Sequence, residues 1–588
     1  MRKLSRFLST IAKQSGLRNR GCAIPIHRVG IGTKTMNQLQ VKICQNCKNQ
    51  FMIESEDLAF YERFAMPPPV ECPRCRWRHL LAFFAFGRFR KTKSALSGRT
   101  IITIISPNVK FPIYDKVEFV GDNWEPLSYG RTYDPSRSFL EQFAELQAAV
   151  PHPHQSGIQN VNCDWCDDVW SCRECYLCRS LFECEYVNYG YRIIRCKNAV
   201  DLTYCFDTEF SYDCLYCFKC YKVRHSFDAR DCIESMFLFD CRNCSNCFMC
   251  WNLRNKQYHI LNKPYVKEEY FKKLKEFDTR TWSGVEKLKQ EFEGILREEA
   301  VHRANQNVQV VNSKGNFLAE CKNCFNCYFI EQSENARHAF RGFGHKETID
   351  CVGSGFVEKA ALSCVDLHVY DSIATSHSSN CRYSSYLDYC EECEYCFGCV
   401  GLRKKKHCVL NKQYTEGEYH KLTARIKDNM KKGGEWGRFF PFRMTYSGYN
   451  LSLANVFFPE TRESVEQLGG FWDESEIVKH EGISGDELPE AIDEVSEDFT
   501  AQRIICPKTG LSFNIAPREF AFYKKHSIPL PRHHFDWRTL ERFKPLALSV
   551  HPQKGICVFC NKEIDHYYSP ELGYKKIACV ECYQKEIL

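Results

Sequence analysis

The chain has 588 residues, 44% hydrophobic and 26% charged. Those values exclude a single small fold, wholesale disorder and collagen-like repetition, and no apolar run approaches the roughly 18 residues of a membrane span. It carries 37 Cys beside 43 Phe, 30 Tyr and 9 Trp but only 8 Met, and its formal charge of +7 sits at the front: residues 1–53 hold ten Lys/Arg and no acid, leaving 70 basic against 73 acidic side chains.

In chain order, residues 1–35 read as a basic leader, disordered or untranslated with Met36 as the start, or as an Arg-rich organellar leader. The leader lacks the apolar stretch of a secretory signal. Abundant CxxC spacing without such a signal predicts reduced thiols, metal and a cytoplasmic location. Residues 36–120 then form an N-terminal zinc-ribbon module, in which Cys44, Cys47, Cys72 and Cys75 make a CxxC-x24-CxxC quartet. Two thiolate pairs on two tight turns are what a closed tetrahedral site requires, and such sites fold small domains rather than catalyse.

Residues 121–162 read as a helical connector. Cys-rich repeat unit 1 (163–263), a helical segment (264–304), repeat unit 2 (305–412) and a further helical segment and connector (413–470) follow. Cys241, Cys244, Cys247 and Cys250 match Cys390, Cys393, Cys396 and Cys399 at a constant offset of 149, and shorter triplets recur at Cys172-Cys175-Cys178, Cys214-Cys217-Cys220 and Cys321-Cys324-Cys327. Residues three apart point to opposite faces of a flat strand, so these clusters predict a chain that bends every few residues and turns each Cys inward. The leading expectation is thiols packed as small hydrophobes inside a β-solenoid; further zinc knuckles and iron–sulfur or disulfide chemistry are the alternatives.

An acidic linker (471–500) leads to the C-terminal zinc-ribbon module (501–588). Between Asp473 and Asp498 stand eleven acids and one Lys, read as a solvated tether that could also fold back on the basic patch of residues 74–99. The last module aligns with the first. Phe51, Ile53, Phe60 and Tyr61 fall on Phe513, Ile515, Phe522 and Tyr523, whereas the quartet becomes Cys506, Thr509, His534 and Trp537, a set expected to have lost its metal. Further on the losses reverse: Cys557, Cys560, Cys579 and Cys582 form an intact CxxC-x18-CxxC quartet opposite Ser94, Ser97, Lys116 and Phe119.

Chemistry beyond metal is sparse. HExxH, GxxxxGK[ST] and GxSxG are absent, so no enzymatic activity is expected. His152, His154, His533 and His534 read as loop or surface residues. Arg74, Arg76, Arg78, Arg88, Arg90, Lys91, Lys93 and Arg99, interleaved with Trp77, Phe83, Phe84, Phe86 and Phe89, form a candidate nucleic-acid face, against a plainer reading in which the aromatics point inward. The ribbon CQNC…FYERFAMPPPVECPRCRWR, the SYGRTYDPSRSFLEQFAEL segment, the CFGCVGLRKKKHCVLNKQY repeats and the closing CVFC…CVEC together resemble an uncharacterised family of cysteine-rich bacterial zinc-ribbon proteins. The resemblance implies terminal zinc ribbons flanking tandem Cys-rich repeats, and no activity.

The expected fold is multidomain and mainly β with helical segments: zinc-ribbon modules at both ends and a duplicated Cys-rich β-solenoid-like core. The expected function is a scaffold or adaptor with about two Zn2+ per chain that recognises a protein partner through ribbon and repeat surfaces, with no membrane partner. The alternatives are a nucleic-acid-binding zinc-ribbon protein using residues 74–99, and a thiol redox or metal-handling protein.

Overall fold

The computed structural model describes residues 40–157, 160–182 apart from 164, 171 and 174, 193–194, 210–212, 221–474 and 481–588. The leader 1–35 and the Cys214-Cys217-Cys220 triplet lie outside the described residues. No helix is long and apolar enough to cross a membrane among those described.

Strands Gln40–Ile43 and Gln50–Ile53 pair antiparallel, and helices Ser55–Arg63 and Pro73–Ala82 follow. Phe51 and Ile53 point inward, as the period of two requires. Pro73 suits the first turn of its helix because its missing N–H would have no partner there. The same order of hairpin, helix and helix returns at Ile504–Ile505, Ser512–Phe513, Pro517–Lys525 and Phe535–Ala547.

The middle of the chain is built from parallel strands. Ile233 pairs with Ser245 and Ser245 with Gln257, while Lys346 pairs with Glu358 and Glu358 with Tyr370, each a step of 12 residues. Within each step the backbone turns at every third residue: φ is positive at Asp240 (44°), Asn243 (52°), Asn246 (51°), Met249 (51°) and Asn252 (53°), and again at Tyr389, Glu392 and Tyr395. A left-handed residue other than Gly costs about 1–2 kcal/mol. Asn tolerates it best, and here the Asn side chains also bond one another across the 12-residue step, Asn243 Nδ2 donating to Asn255 Oδ1 at 2.6 Å and Asn323 Nδ2 to Asn335 Oδ1 at 3.1 Å.

The residue after each of these bends points inward, and in the cysteine clusters that residue is Cys. Cys241, Cys244, Cys247 and Cys250 are buried, as are Cys390, Cys393, Cys396 and Cys399. The thiols donate to backbone carbonyls: Cys241 Sγ lies 3.5 Å from the oxygens of both Phe239 and Cys250, and Cys390 Sγ lies 3.3 Å from that of Cys399. A spacing of three in the sequence is therefore the spacing of the bends.

The largest apolar core among the described residues lies where the first module, helix Phe139–Ala149 and the segment around Phe440 and Tyr446 meet one face of the 11-stranded sheet that runs from Lys314–Ala319 to Lys412–Gln413, with Trp77, Phe83, Phe143, Phe340 and Phe397 buried together. Polar anchors cross this junction. Arg76 Nε donates to Asp350 Oδ1 at 2.9 Å, Tyr61 Oη to Asp350 Oδ2 at 2.7 Å, and Trp77 Nε1 to the carbonyl of His338 at 2.7 Å.

Two expectations need correction. The described residues 481–500 of the acidic stretch are not a solvated tether: Leu488, Ile492, Val495 and Phe499 sit buried with Ile504, Phe513 and Phe520, and Ile483–Ser484 pairs in parallel with Ile504–Ile505. Apolar residues at steps of three and four, hidden among the acids in the sequence, make this stretch part of the C-terminal core. His152, His154 and His534 are buried rather than at the surface, His154 and His534 in loop segments, and the His152 ring lies 3.1 Å from Asp388 Oδ2.

Burial of histidine sets the acid response. Burial holds His302, His345 and His377 at about 4, against an ordinary value of 6.5. A histidine with a depressed pKa contributes stability above 6.5 that is lost as pH falls through 4. Asp366, raised by burial to about 7, acts in the opposite sense, its contribution being present in acid and lost as pH rises toward 7. With three groups against one, the melting temperature is expected to fall steadily from pH 6.5 to 4, and a flat profile over that window in a thermal-melt series would contradict the assignment.

Candidate metal centres

Cys44 directly follows strand Gln40–Ile43, and Cys47 comes next in the turn, after which Lys48 takes φ 62°. Cys72 is the N-cap of helix Pro73–Ala82, and Cys75 lies in its first turn. The second pair therefore sits at a helix N-terminus rather than on a second tight turn. The helix dipole and free N–H groups at that end favour thiolate. The four sulfurs lie within 4.8 Å of one another. Cys47 and Cys72 Sγ are 3.7 Å apart, too far for a disulfide and close to the ~3.8 Å edge of a tetrahedron of metal–sulfur bonds of about 2.3 Å. The Cys72 N–H donates to Cys44 Sγ at 3.3 Å, and the hydrogen bond from Cys75 holds the Cys72 thiol at about 5.

The C-terminal centre repeats this plan. Cys557 and Cys560 follow strand Gln553–Ile556, Asn561 takes φ 56°, and Cys579 caps helix Val580–Glu586 with Cys582 in its first turn. These sulfurs too lie within 4.8 Å of one another, and the Cys579 N–H donates to Cys557 Sγ at 3.3 Å. Burial opposes ionisation of Cys557, but backbone N–H groups of Cys560, Cys579 and Phe559 bring it down to about 6. Both quartets fit a metal ion, with four soft donors, backbone N–H groups aimed at sulfur and no open position.

Where metal ligands are missing, hydrogen bonds hold the same corner. Ser94 stands in the place of Cys557, and its Oγ accepts the N–H of Asp115 at 3.3 Å, as Cys557 Sγ accepts that of Cys579. Asp115 caps helix Lys116–Val120, and Glu118 in its first turn accepts the Ser94 hydroxyl. The structure thus sets Asp115 and Glu118, not Lys116 and Phe119, opposite Cys579 and Cys582. The sequence alignment of this half missed the pair by one residue, although it shares the three-residue spacing of a CxxC. In the other degenerate copy His534 caps helix Phe535–Ala547 through Nδ1, 3.1 Å from the N–H of Asp536, and the Thr509 hydroxyl accepts from Leu511.

Part of the candidate nucleic-acid face is drawn into the interior. Arg76 and Arg78 are buried in ion pairs with Asp350 and Glu460. Arg74 lies 5.4 Å from the Phe458 ring, Arg88 pairs with Asp536 at 3.7 Å and Arg90 donates to the carbonyl of Ile105. Lys91 lies 5.7 Å from the Trp165 ring, Lys93 is exposed, and Arg99 lies 3.9 Å from Asp115. Trp77 and Phe83 are buried, while Phe84 lies under Arg341 and Phe86 against Phe543. Trp77, Phe83, Phe84 and Phe86 thus serve the core, and Arg76 and Arg78 are held in ion pairs there.

Each centre has accessible thiols, whereas the longest cysteine run of the second repeat has none. Cys560 is exposed and Cys47, Cys579 and Cys582 are half-buried, whereas Cys390, Cys393, Cys396 and Cys399 are buried. After chelation, the quartet thiols are expected to react with a thiol reagent well before those four, which should react only at the global unfolding rate. Equal rates by mass-spectrometric labelling would refute closed packing of the repeats. Compared with protein-family models, curated proteins and solved structures, the chain has no match, so its resemblance to cysteine-rich zinc-ribbon proteins rests on the motifs themselves.

Proposed function

We propose that the protein is a non-catalytic zinc-binding scaffold, with two zinc ions fixing its terminal hairpins and two β-solenoid units spacing them. The observation that carries this reading is the outer face of each metal hairpin. Val41, Ile43 (70% exposed) and Met52 share the outward face of the first, Val41 directly opposite Met52, and Ile556 (59%), Val558 and Phe559 surround the second quartet. Apolar side chains grouped on a rigid, exposed turn mark a protein-binding surface. Closed four-thiolate sites support a structural metal, and zinc suits a tetrahedral sulfur set. The step of 12 residues with inward thiols supports the solenoid units, and buried thiols suit a reducing compartment such as the cytoplasm.

The test compares proteins cross-linked to the intact chain with those cross-linked to Ile43→Asp and Phe559→Asp variants of unchanged zinc content. Partners captured by the intact chain and lost at least tenfold from one variant support the scaffold reading. An identical set from all three proteins would overturn it.

A further inference from the structure

A cleft of about 370 Å³ is lined by the first metal turn, helix Pro73–Ala82 and residues 437–443. Its volume is at the lower end of the range of small-ligand sites. The buried part of its lining is apolar and includes Leu80, Leu362, Phe439 and Phe442. The His79 ring belongs with them, flat against Phe442 with centroids 4.1 Å apart and edge-on to Phe439 at 6.0 Å. Its Nε2 donates to the carbonyl of Phe440 at 2.8 Å, and burial holds its pKa below the ordinary value, so the imidazole is neutral near pH 7.

Four charged side chains line the cleft, and two of them are committed elsewhere. Arg76 is held by Asp350 and the carbonyl of Glu71, and Arg443 is paired with Glu141. The other two are the Glu71 carboxylate and the exposed Arg438 guanidinium, and among the described residues neither side chain enters an ion pair or a hydrogen bond. The Gln45 N–H donates to the carbonyl of Val70 at 3.0 Å, so the loop that carries Glu71 is fixed to the metal turn. One open carboxylate and one open guanidinium beside flat rings suit a ligand with one charge of each sign on an aromatic body. A polyanion would meet Glu71 as a like charge, and a simple acid or amine would match one of the two groups and leave the other without a partner.

We infer that this cleft binds a free α-amino acid with an aromatic side chain, its ammonium at Glu71, its carboxylate at Arg438 and its ring among Phe439, Phe442 and Leu80. The site uses none of the metal-binding thiols and goes beyond the scaffold reading.

The probes are L-phenylalanine and L-tryptophan, each beside an amine analogue (phenethylamine, tryptamine) and an acid analogue (3-phenylpropionate, indole-3-propionate), titrated into the zinc-loaded full chain by calorimetry. The tighter of the two amino acids is expected to bind in the micromolar range and about tenfold more tightly than either of its own analogues, each of which lacks one of the two charges. Arg438→Ala is expected to weaken that amino acid about tenfold while leaving its amine analogue unchanged, because the amine has no carboxylate to lose. Glu71→Gln should give the mirror pattern, weakening the amino acid and sparing the acid analogue. Arg438 is exposed, so its variant should keep the zinc content and melting temperature of the intact chain, and its result stands alone if the change at Glu71 disturbs the neighbouring Cys72. No binding of either amino acid to the intact chain, an analogue as tight as its parent, undiminished binding by Arg438→Ala, or loss of the amine together with the amino acid in that variant would each overturn the inference.

Discussion

Replacing Cys72 with serine is expected to lower the metal content by one ion per chain and to unfold the first module, whereas Cys560→Ser removes the other ion and melts only the last hairpin and helix. A structural four-thiolate zinc site contributes about 10–16 kcal/mol of apparent binding free energy near neutral pH, and three thiolates keep only part of it. The asymmetry follows from what each helix carries. Helix Pro73–Ala82 bears Cys75 together with Arg76 and Trp77, which dock on the 11-stranded sheet through Asp350 and the carbonyl of His338. Loss of the first metal therefore frees the anchors of the largest core, while helix Val580–Glu586 reaches the rest of the protein mainly through Tyr583 at Asp240 and Asn252. Elemental mass spectrometry with thermal unfolding checks both. Unchanged metal in Cys72→Ser would remove the site, and equal loss of melting temperature in the two variants would remove the asymmetry.

Asp350→Ala is expected to cost about 3–5 kcal/mol, the usual penalty for removing one partner of a buried ion pair. Asp350 stands at one of the left-handed bends, φ 55°, and its carboxylate takes both Arg76 Nε and Tyr61 Oη inside the junction. Without it the Arg76 guanidinium, 8% exposed, stays buried with the carbonyl of Glu71 for a hydrogen bond and the Asp57 carboxylate as the charge that still acts on it. Arg76→Met combined with Asp350→Leu removes both charges and should recover most of the loss. Denaturant unfolding gives both values. A cost under about 1 kcal/mol for the single change would mean that the apolar contacts alone dock the module.

The metal quartets were legible because CxxC pairs at ribbon spacing have few other uses, and the structure brings each quartet together. The three-residue cysteine rhythm was legible as bending for a geometric reason: inward side chains recurring every third residue fit neither a flat strand nor a long helix. Local spacing could not reveal the support for so many left-handed residues. That support comes from neighbours 12 positions away, through parallel backbone pairing and the stacked Asn side chains.

The sequence by itself therefore determined which cysteines could share a metal and where the chain must turn, since both follow from residue type and short spacing. Tertiary structure decided the fate of the charged residues. Arg76 and Arg78 became core anchors because Asp350 and Glu460, hundreds of positions away, meet them in the interior. The acid-rich stretch before the last module folded because four of its apolar residues found a core. Asp115 and Glu118 took the places of ligands because the helix cap, rather than sequence alignment, fixes that corner. A charge has no fixed address in a sequence: the distance to its partner and the water between them set its role, and both are properties of the fold.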